Sequence, residues 1–463
     1  MADAGAPLCI SRAEGTRMIE KPTPMSGPQG TDAEMLEGLQ RETFDFFIGE
    51  ANAQNGLFPD KTQPGSPASV AGVGLGLSAY IAAVERGFIS RPEAIRRTLR
   101  VLEFFRQSPQ GVEPDATGYK GFYYHFLDME NGRRAWKCEL STIDTAIFIA
   151  GVLTVANYFT QDSTEEERIR EISDFLYRRI DWPWALNGGM SLSHGWSPEG
   201  GFLPYRWDQG YSEAMIMYVL ALGSPTFPIS EVGYRDWVKT FEWVKVYDYE
   251  YIYAGPLFIH QMSHLWLDFR GIYDECNRQT GIDYFENSRR ATYVHRQYAI
   301  ENPRNFVAYG ENCWGFTASD GPGPVTRTVK KVRRKFYDYI ARGAPYGPDD
   351  GTVSPWAVVA SLPFAPEIVL CTIRHAIEKL QLKDQRVYGF DASFNPTFRE
   401  KTPNQKGWVS PWRFALNQGP IVMMIENYHS GLIWKTMHKS PYIAKGLQRA
   451  GFRPEPAQSR GKG

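Results

Sequence analysis

The sequence is short of most features that would name a chemistry outright. Its five cysteines, Cys9, Cys138, Cys276, Cys313 and Cys371, are scattered, odd in number and contain no CxxC pair. That argues against a zinc ribbon or a disulfide framework and fits a reducing compartment. No run is long and apolar enough to cross a membrane, and the first thirty residues lack an apolar stretch of signal-peptide length. The chain is therefore expected to be soluble and cytoplasmic, or periplasmic or secreted if a leader was removed. No long basic tract stands out either: 51 Lys and Arg nearly cancel 52 Asp and Glu. A nucleic-acid partner held mainly through phosphates is disfavoured. Gly72, Gly74 and Gly76 form neither a GxGxxG after a strand nor a P-loop, so no cofactor is expected. His260 and His264 lie four apart, but no HExxH accompanies them, and no metal is expected. Ser212 lacks the flanking glycines of a nucleophile elbow.

Helical periodicity and aromatics are what the chain does have. Aromatics make up 14% of it, with 13 Trp and 25 Tyr, and such rings suit sugar faces as well as cores. Residues 1–31 read as a loose arm, 32–445 as a single domain and 446–463 as a tail. Within the domain, helices are expected from Asp32, over Ser69 to Arg86, from Ser90, through LSTIDTAIFIAGVLTVANYF, and over TEEERIREISDFLYRRI. Further ones are expected after Tyr211 and over Tyr234–Val246, Leu257–Phe269, Ile282–Glu301, Pro355–Leu362, Pro366–Leu380 and Gln418–Lys435. Lys330–Lys335 reads as a solvated helix face. Strand signals are sparse. About twelve helices, alternating apolar and amphipathic, predict an all-α (α/α)6 barrel, a six-hairpin toroid with long loops at one end.

Those loops hold the polar and aromatic residues. WKCE (Trp136–Glu139), the run from Ser193 to Glu213, Tyr309–Gly323, Pro348–Trp356 and Val387–Pro396 each combine a carboxylate, an aromatic and, in most, a glycine. A glycosidase cleft needs that composition: one acid to protonate a leaving oxygen, one carboxylate to activate water, and rings to carry sugar. Within YRWDQGYSEAMIMYVLALGSP, Glu213 stands where a polar loop meets an apolar helix, at its expected first turn. Burial there can raise a carboxyl's pKa and fit it for general-acid work; Asp208 reads as a rim residue.

ELSTIDTAIFIAG, DQGYSEAMIMYVLALGSPT, GPLFIHQMSHLWLDFRG, YGENCWGFTASDGP, SLPFAP and NQGPIVMMIENYHSGLIW together resemble the bacterial glucoamylase-like domain. That group includes glycoside hydrolase family 144, the endo-β-1,2-glucanases, and their relatives. The resemblance covers residues 33–440 or so. It implies an (α/α)6 barrel and metal-independent, inverting cleavage of β-1,2-glucan or its oligosaccharides. It further implies Glu213 as the general acid and Asp144 as a substrate contact, with Trp136, Trp207, Tyr211, His264, Glu311 and Trp314 as further sugar contacts. The base is implied at Asp391, although this chain reads GFDASFN where members carry GFxDAF, one position out of step; Asp350 is the reserve. Transglycosylation, another glycan, or sugar binding without catalysis are the alternatives. The implied partner is an oligosaccharide or polysaccharide, and oligomeric state is left open.

Overall fold

The helix Val70–Glu85 is buried almost all round because it is flanked by its own kind. Ser69 caps it, its Oγ accepting from the Gly72 amide. On one side it packs against Thr142–Tyr158, which is equally apolar on every face. Two glycines let these helices meet backbone to backbone. A Cβ added at Gly74 would lie 2.4 Å from the Ile147 carbonyl oxygen, and one at Gly151 would lie 2.1 Å from that of Gly74.

Four more inner elements complete a ring: Met215–Gly223, Leu257–Gln261 with the 3-10 turn Ser263–Leu265, Pro355–Ala360 and Ala415–His429. The last packs back on Val70–Glu85. Gln261 ties the fourth element to the fifth, its Nε2 donating to the Ala357 carbonyl (2.6 Å) and Ser361 Oγ (2.7 Å). Outside run Asp32–Gly49, Arg91–Gln107, Thr164–Arg178, Glu231–Val238, Tyr284–Glu301 and Pro366–Glu378. Thr164–Arg178 is typical of them. Three glutamates fill its first turn, where the helix dipole favours negative charge, while Ile169, Ile172 and Leu176 turn inward. The protein is thus an (α/α)6 barrel. The computed structural model describes residues 30–383, 387–398 and 406–454; most of the expected arm, and the tail from 455, lie outside them.

Glu426, on the last inner helix, accepts from Arg86 through both oxygens (2.6 and 3.0 Å) and from Gln40 Nε2 (3.2 Å). Those partners belong to the first two helical segments, so the ring closes between the two ends of the domain.

Several expectations give way to the structure. The helix expected at Tyr234–Val246 stops at Val238, and Trp243–Val246 instead pairs antiparallel with Tyr249–Ile252. Lys330–Lys335 is no helix face. Val325–Val329 and Val332–Phe336 form a hairpin, with Lys330 and Lys331 at φ of 47° and 66° in its turn. The helix expected over Gln418–Lys435 breaks at Gly431 (φ 67°) into Ala415–His429 and Leu432–His438. At the other end the packed chain passes residue 445, since Pro441–Arg449 is helical and Arg453–Pro454 pairs with Ile272–Tyr273.

Short strands, under-read in the sequence, organise the mouth. Gly118–Tyr119, Phe122–Tyr124, Leu140–Ser141, Gly195–Ser197 and Gly201–Phe202 form one antiparallel five-stranded sheet in that order. Phe122–Tyr124 delivers His125 to the mouth, and Leu140–Ser141 runs straight into the inner helix bearing Asp144.

Candidate active site

A cleft of about 560 Å³ opens among these loops, and six carboxylates face it: Asp60, Glu139, Asp144, Glu213, Asp320 and Asp338. Trp207, Phe258, Tyr339, Trp356 and Phe414 supply aromatic walls.

Glu213 is set by a neighbour rather than by its own helix. Met215–Gly223 has no side-chain cap, which would leave its first amides without partners. Ser263, from the adjacent inner element, fills the gap. Its Oγ accepts from the Ile216 amide (3.0 Å) and donates to the Glu213 carbonyl (2.9 Å). Glu213 therefore stands in the turn just ahead of the helix, one step outside the first turn where it was expected. Burial pushes its carboxyl up to about 7, and the nearby charge of Asp144 adds to the rise. The opposing influence is a hydrogen bond with its own backbone amide.

Asp144 lies in the first turn of its helix, its amide donating to the capping Ser141 Oγ (3.2 Å). That hydroxyl in turn donates to Asp144 Oδ2 (2.5 Å). Beside it, His125 Nδ1 is 2.9 Å from Glu139 Oε1, and Nε2 is 3.7 Å from Asp144 Oδ2. Burial disfavours the imidazolium, yet Asp144, the Glu139 hydrogen bond and charge, and Asp60 raise His125 to about 9. Asp60 itself is pushed up to about 6, burial outweighing the attraction of His125 and Lys61. Lys61 places its ammonium over the Phe414 ring, 5.6 Å from the centroid. It also acts on Asp320, whose carboxyl burial raises and a hydrogen bond from Ser410 (2.9 Å) lowers. The cleft thus carries two cations among six carboxylates, with neither cation in contact with Glu213.

Trp207 reaches the cleft as expected. Its Nε1 donates to Thr142 Oγ1 (3.1 Å) and its ring stacks on His194 at 4.0 Å. The other expected sugar contacts scatter. Tyr211 is buried, stacked on Tyr284 and edge-on to Phe241. His264 is buried in the core with Nε2 3.0 Å from Ser288 Oγ, and burial depresses it to about 3. Trp314 is fully buried, its Nε1 donating to Thr372 Oγ1. Glu311 is exposed and paired with Arg296. Trp136 stands exposed just outside the cleft, against Phe126. Asp208 accepts from Ser191 Oγ (3.1 Å) on a separate depression.

The two base candidates also lie off the lining. Asp391 is buried in an ion pair with Arg413 (2.8 Å). Its loop reaches the cleft indirectly, for Ser393 Oγ donates to the Asp320 carbonyl (2.9 Å). Asp350 is sealed in the fold. Arg342 grips both its oxygens (2.8 and 2.9 Å), and the amides of Tyr337 and Thr352 donate to it. It fastens loops and cannot reach water. Among the described residues no group of His, Cys, Asp and Glu could hold a metal ion, and no helix is long and apolar enough to cross a membrane.

Asp60, Lys61, His125 and Asp338 escaped sequence reasoning, and Asp320 entered it only within the Tyr309–Gly323 loop. They come from segments up to 278 positions apart and carry no spacing motif; the signal available was only that each borders an aromatic or a glycine-rich turn.

Fold and cleft together define an (α/α)6-barrel protein with an acidic, aromatic-walled mouth. The chain belongs to the glucoamylase-like family: residues 204–441 match the family described as "Putative glucoamylase". A crystal structure of a Bacteroides uniformis protein of the same description is 32% identical, covers 92% of this chain and 99% of its own, and superposes with a TM-score of 0.81. The endo-β-1,2-glucanase of Chitinophaga pinensis, solved with sophorotriose and glucose, is 27% identical, with coverage of 92% and 99% and a TM-score of 0.78. A curated exo β-1,2-glucooligosaccharide sophorohydrolase of Parabacteroides distasonis is 28% identical over 90% of this chain. The chain spans only 58% of that relative's length.

Proposed function

We propose that this protein is a glycoside hydrolase acting on β-1,2-glucan or β-1,2-gluco-oligosaccharides, with Glu213 as the proton donor. One observation carries the reading. Glu213 faces a cleft at the mouth of the barrel, touches no cation among the described residues, and is held by burial at about 7. A carboxyl with that pKa keeps its proton about half the time at neutrality, where an ordinary carboxyl is almost fully ionised, and can hand it to a leaving oxygen. The β-1,2 linkage comes from the relatives, whose names cite β-1,2-glucans and sophorose-releasing hydrolysis. Asp144 and Trp207 then contact the sugar beside the acid, and the chain from residue 32 through the Pro441–Arg449 helix and the Arg453–Pro454 strand acts as a single catalytic domain.

For an inverting reaction, a second carboxylate must activate water on the opposite face. We assign that role to Asp391, acting from behind the lining through water or a substrate hydroxyl. Asp320, which does line the cleft and is tied to the Asp391 loop by Ser393, is the competing assignment. Incubation with linear β-1,2-, β-1,3- and β-1,4-glucans and with α-glucans, read as new reducing ends, tests the substrate. Glu213→Gln should lower kcat by about 10²–10⁴-fold while leaving folding and glucan binding intact; near-normal turnover would remove Glu213 from the mechanism. Asp391→Asn and Asp320→Asn compared side by side identify the base, and the anomer first seen by NMR reports inversion or retention.

A further inference from the structure

Three exposed aromatic side chains stand around the cleft. Trp136 is 65% exposed, Tyr205 66% and Tyr339 54%. Each leans on a cleft-lining ring: Trp136 on Phe126 (5.1 Å between centroids), Tyr205 on His194 (6.0 Å) and Tyr339 on Phe414 (6.1 Å). A single exposed apolar side chain needs no explanation, but several at the edge of one opening form a pattern.

The pose of Trp136 is enforced. Both it and Lys137 have left-handed backbones, with φ of 54° and 53°, a conformation strained for any residue with a β-carbon. Arg134 holds the loop in place. Its side chain is only 2% exposed and pairs with Glu199 (2.8 Å). It donates to the carbonyls of Cys138 (2.6 Å) and Lys137 (2.8 Å), while the guanidinium packs over the Tyr124 ring. One buried cation therefore fastens the loop just past its tip and leaves the indole facing outward. Tyr205 is likewise anchored, its carbonyl accepting from the His194 amide (3.0 Å). A ring already fixed in place loses little entropy when a sugar face settles on it, and its flat apolar surface suits the C–H face of a pyranose.

We propose that Trp136 and Tyr205 form remote subsites outside the cleft, which the Tyr339 ring on the cleft wall extends inward. They grip sugar units several residues away from the bond at Glu213 and make the protein select long glycan chains over disaccharides. The proposal rests on the glycan reading of the cleft and adds chain length to it.

The test is calorimetric titration of the Glu213→Gln protein with sophorose and with long linear β-1,2-glucan. A parallel short and long pair of β-1,3- and β-1,4-glucans is run beside it. The long chain should bind at least roughly tenfold more tightly than the disaccharide. Adding Trp136→Ala should cost about fivefold in long-chain affinity and leave disaccharide affinity within about twofold. Tyr205→Ala, on a different loop, should repeat that pattern if the tryptophan variant folds poorly. Equal affinity for short and long chains, or equal weakening of both by the rim variants, overturns the proposal. Length-dependent binding of another linkage alone would keep the rim and remove the β-1,2 assignment. Failure of every glucan to bind would remove both.

Discussion

At the scale of the residue, the pH behaviour of Glu213 follows from its surroundings. Burial raises its folded pKa from 4.5 to about 7, so the protonated form is favoured in the fold. Activity that depends on that proton should be present below pH 7 and fall as pH rises through it. The same shift lowers stability across the interval, because above about 7 the fold must carry a buried charge that the unfolded chain solvates freely. Measuring kcat/KM from pH 4 to 9 should show an alkaline limb near 7; a limb displaced by more than about two units would assign the proton to another group. Asp350 makes the opposite case. Burial opposes its charge, but Arg342 and the surrounding donors hold its carboxyl below the ordinary range. Asp350→Asn leaves Arg342 buried without its partner and should cost about 3–5 kcal/mol in chemical unfolding. A variant of normal stability with lost turnover would return Asp350 to catalysis.

Residues at this scale were unevenly legible in the sequence. Glu213 could be found because a polar segment abuts an apolar helix, a change visible along the chain. Tyr211, two positions away and in the same motif, points into the core against Tyr284 and Phe241. Nothing in its neighbourhood distinguishes a ring that faces sugar from one that faces protein. His125 and Asp60 gain their character from burial, from one another and from Asp144, Glu139 and Lys61, and that grouping exists only after folding.

At the scale of the element, glycine placement decides how closely the inner helices approach. The run AGVGLGLSAYIAA is dense in small residues, and the contact of Gly74 with Gly151 is the close approach they permit. Gly151→Ala would drive a methyl group into backbone that has no flexible tip to move aside. A loss of about 1–3 kcal/mol or more is expected, seen as a lowered Tm; an unchanged melting curve would mean that the helices can part without penalty. The short strands were hidden for a different reason. Most are two or three residues long, too short to display an alternating pattern, and they are held by pairing between distant loops. The Lys330–Lys331 turn was misread because charge density along KKVRRK masks a two-residue alternation in Val332–Phe336, whose partner strand lies just upstream.

At the scale of the whole molecule, the barrel was legible because it is a repeated alternation of apolar and amphipathic helices, summed over most of the chain. Its closure was not, since no local pattern marks Glu426 as the partner of Arg86 and Gln40. Glu426→Gln should weaken the seam by about 1–3 kcal/mol and lower the denaturant midpoint without changing how the cleft residues pair. A midpoint equal to that of the parent would mean that apolar packing alone closes the ring.

The seam also sets an order of events for a chain emerging from the ribosome. Gln40 and Glu426 are 386 positions apart, so the face of the first helix that meets the last inner helix stays uncovered until that later helix has been made. Contacts of such long range are slow to form, and a waiting surface of this kind invites association with other chains. Yield of the native protein should therefore depend on synthesis rate and on holdase chaperones more steeply than its final stability would suggest.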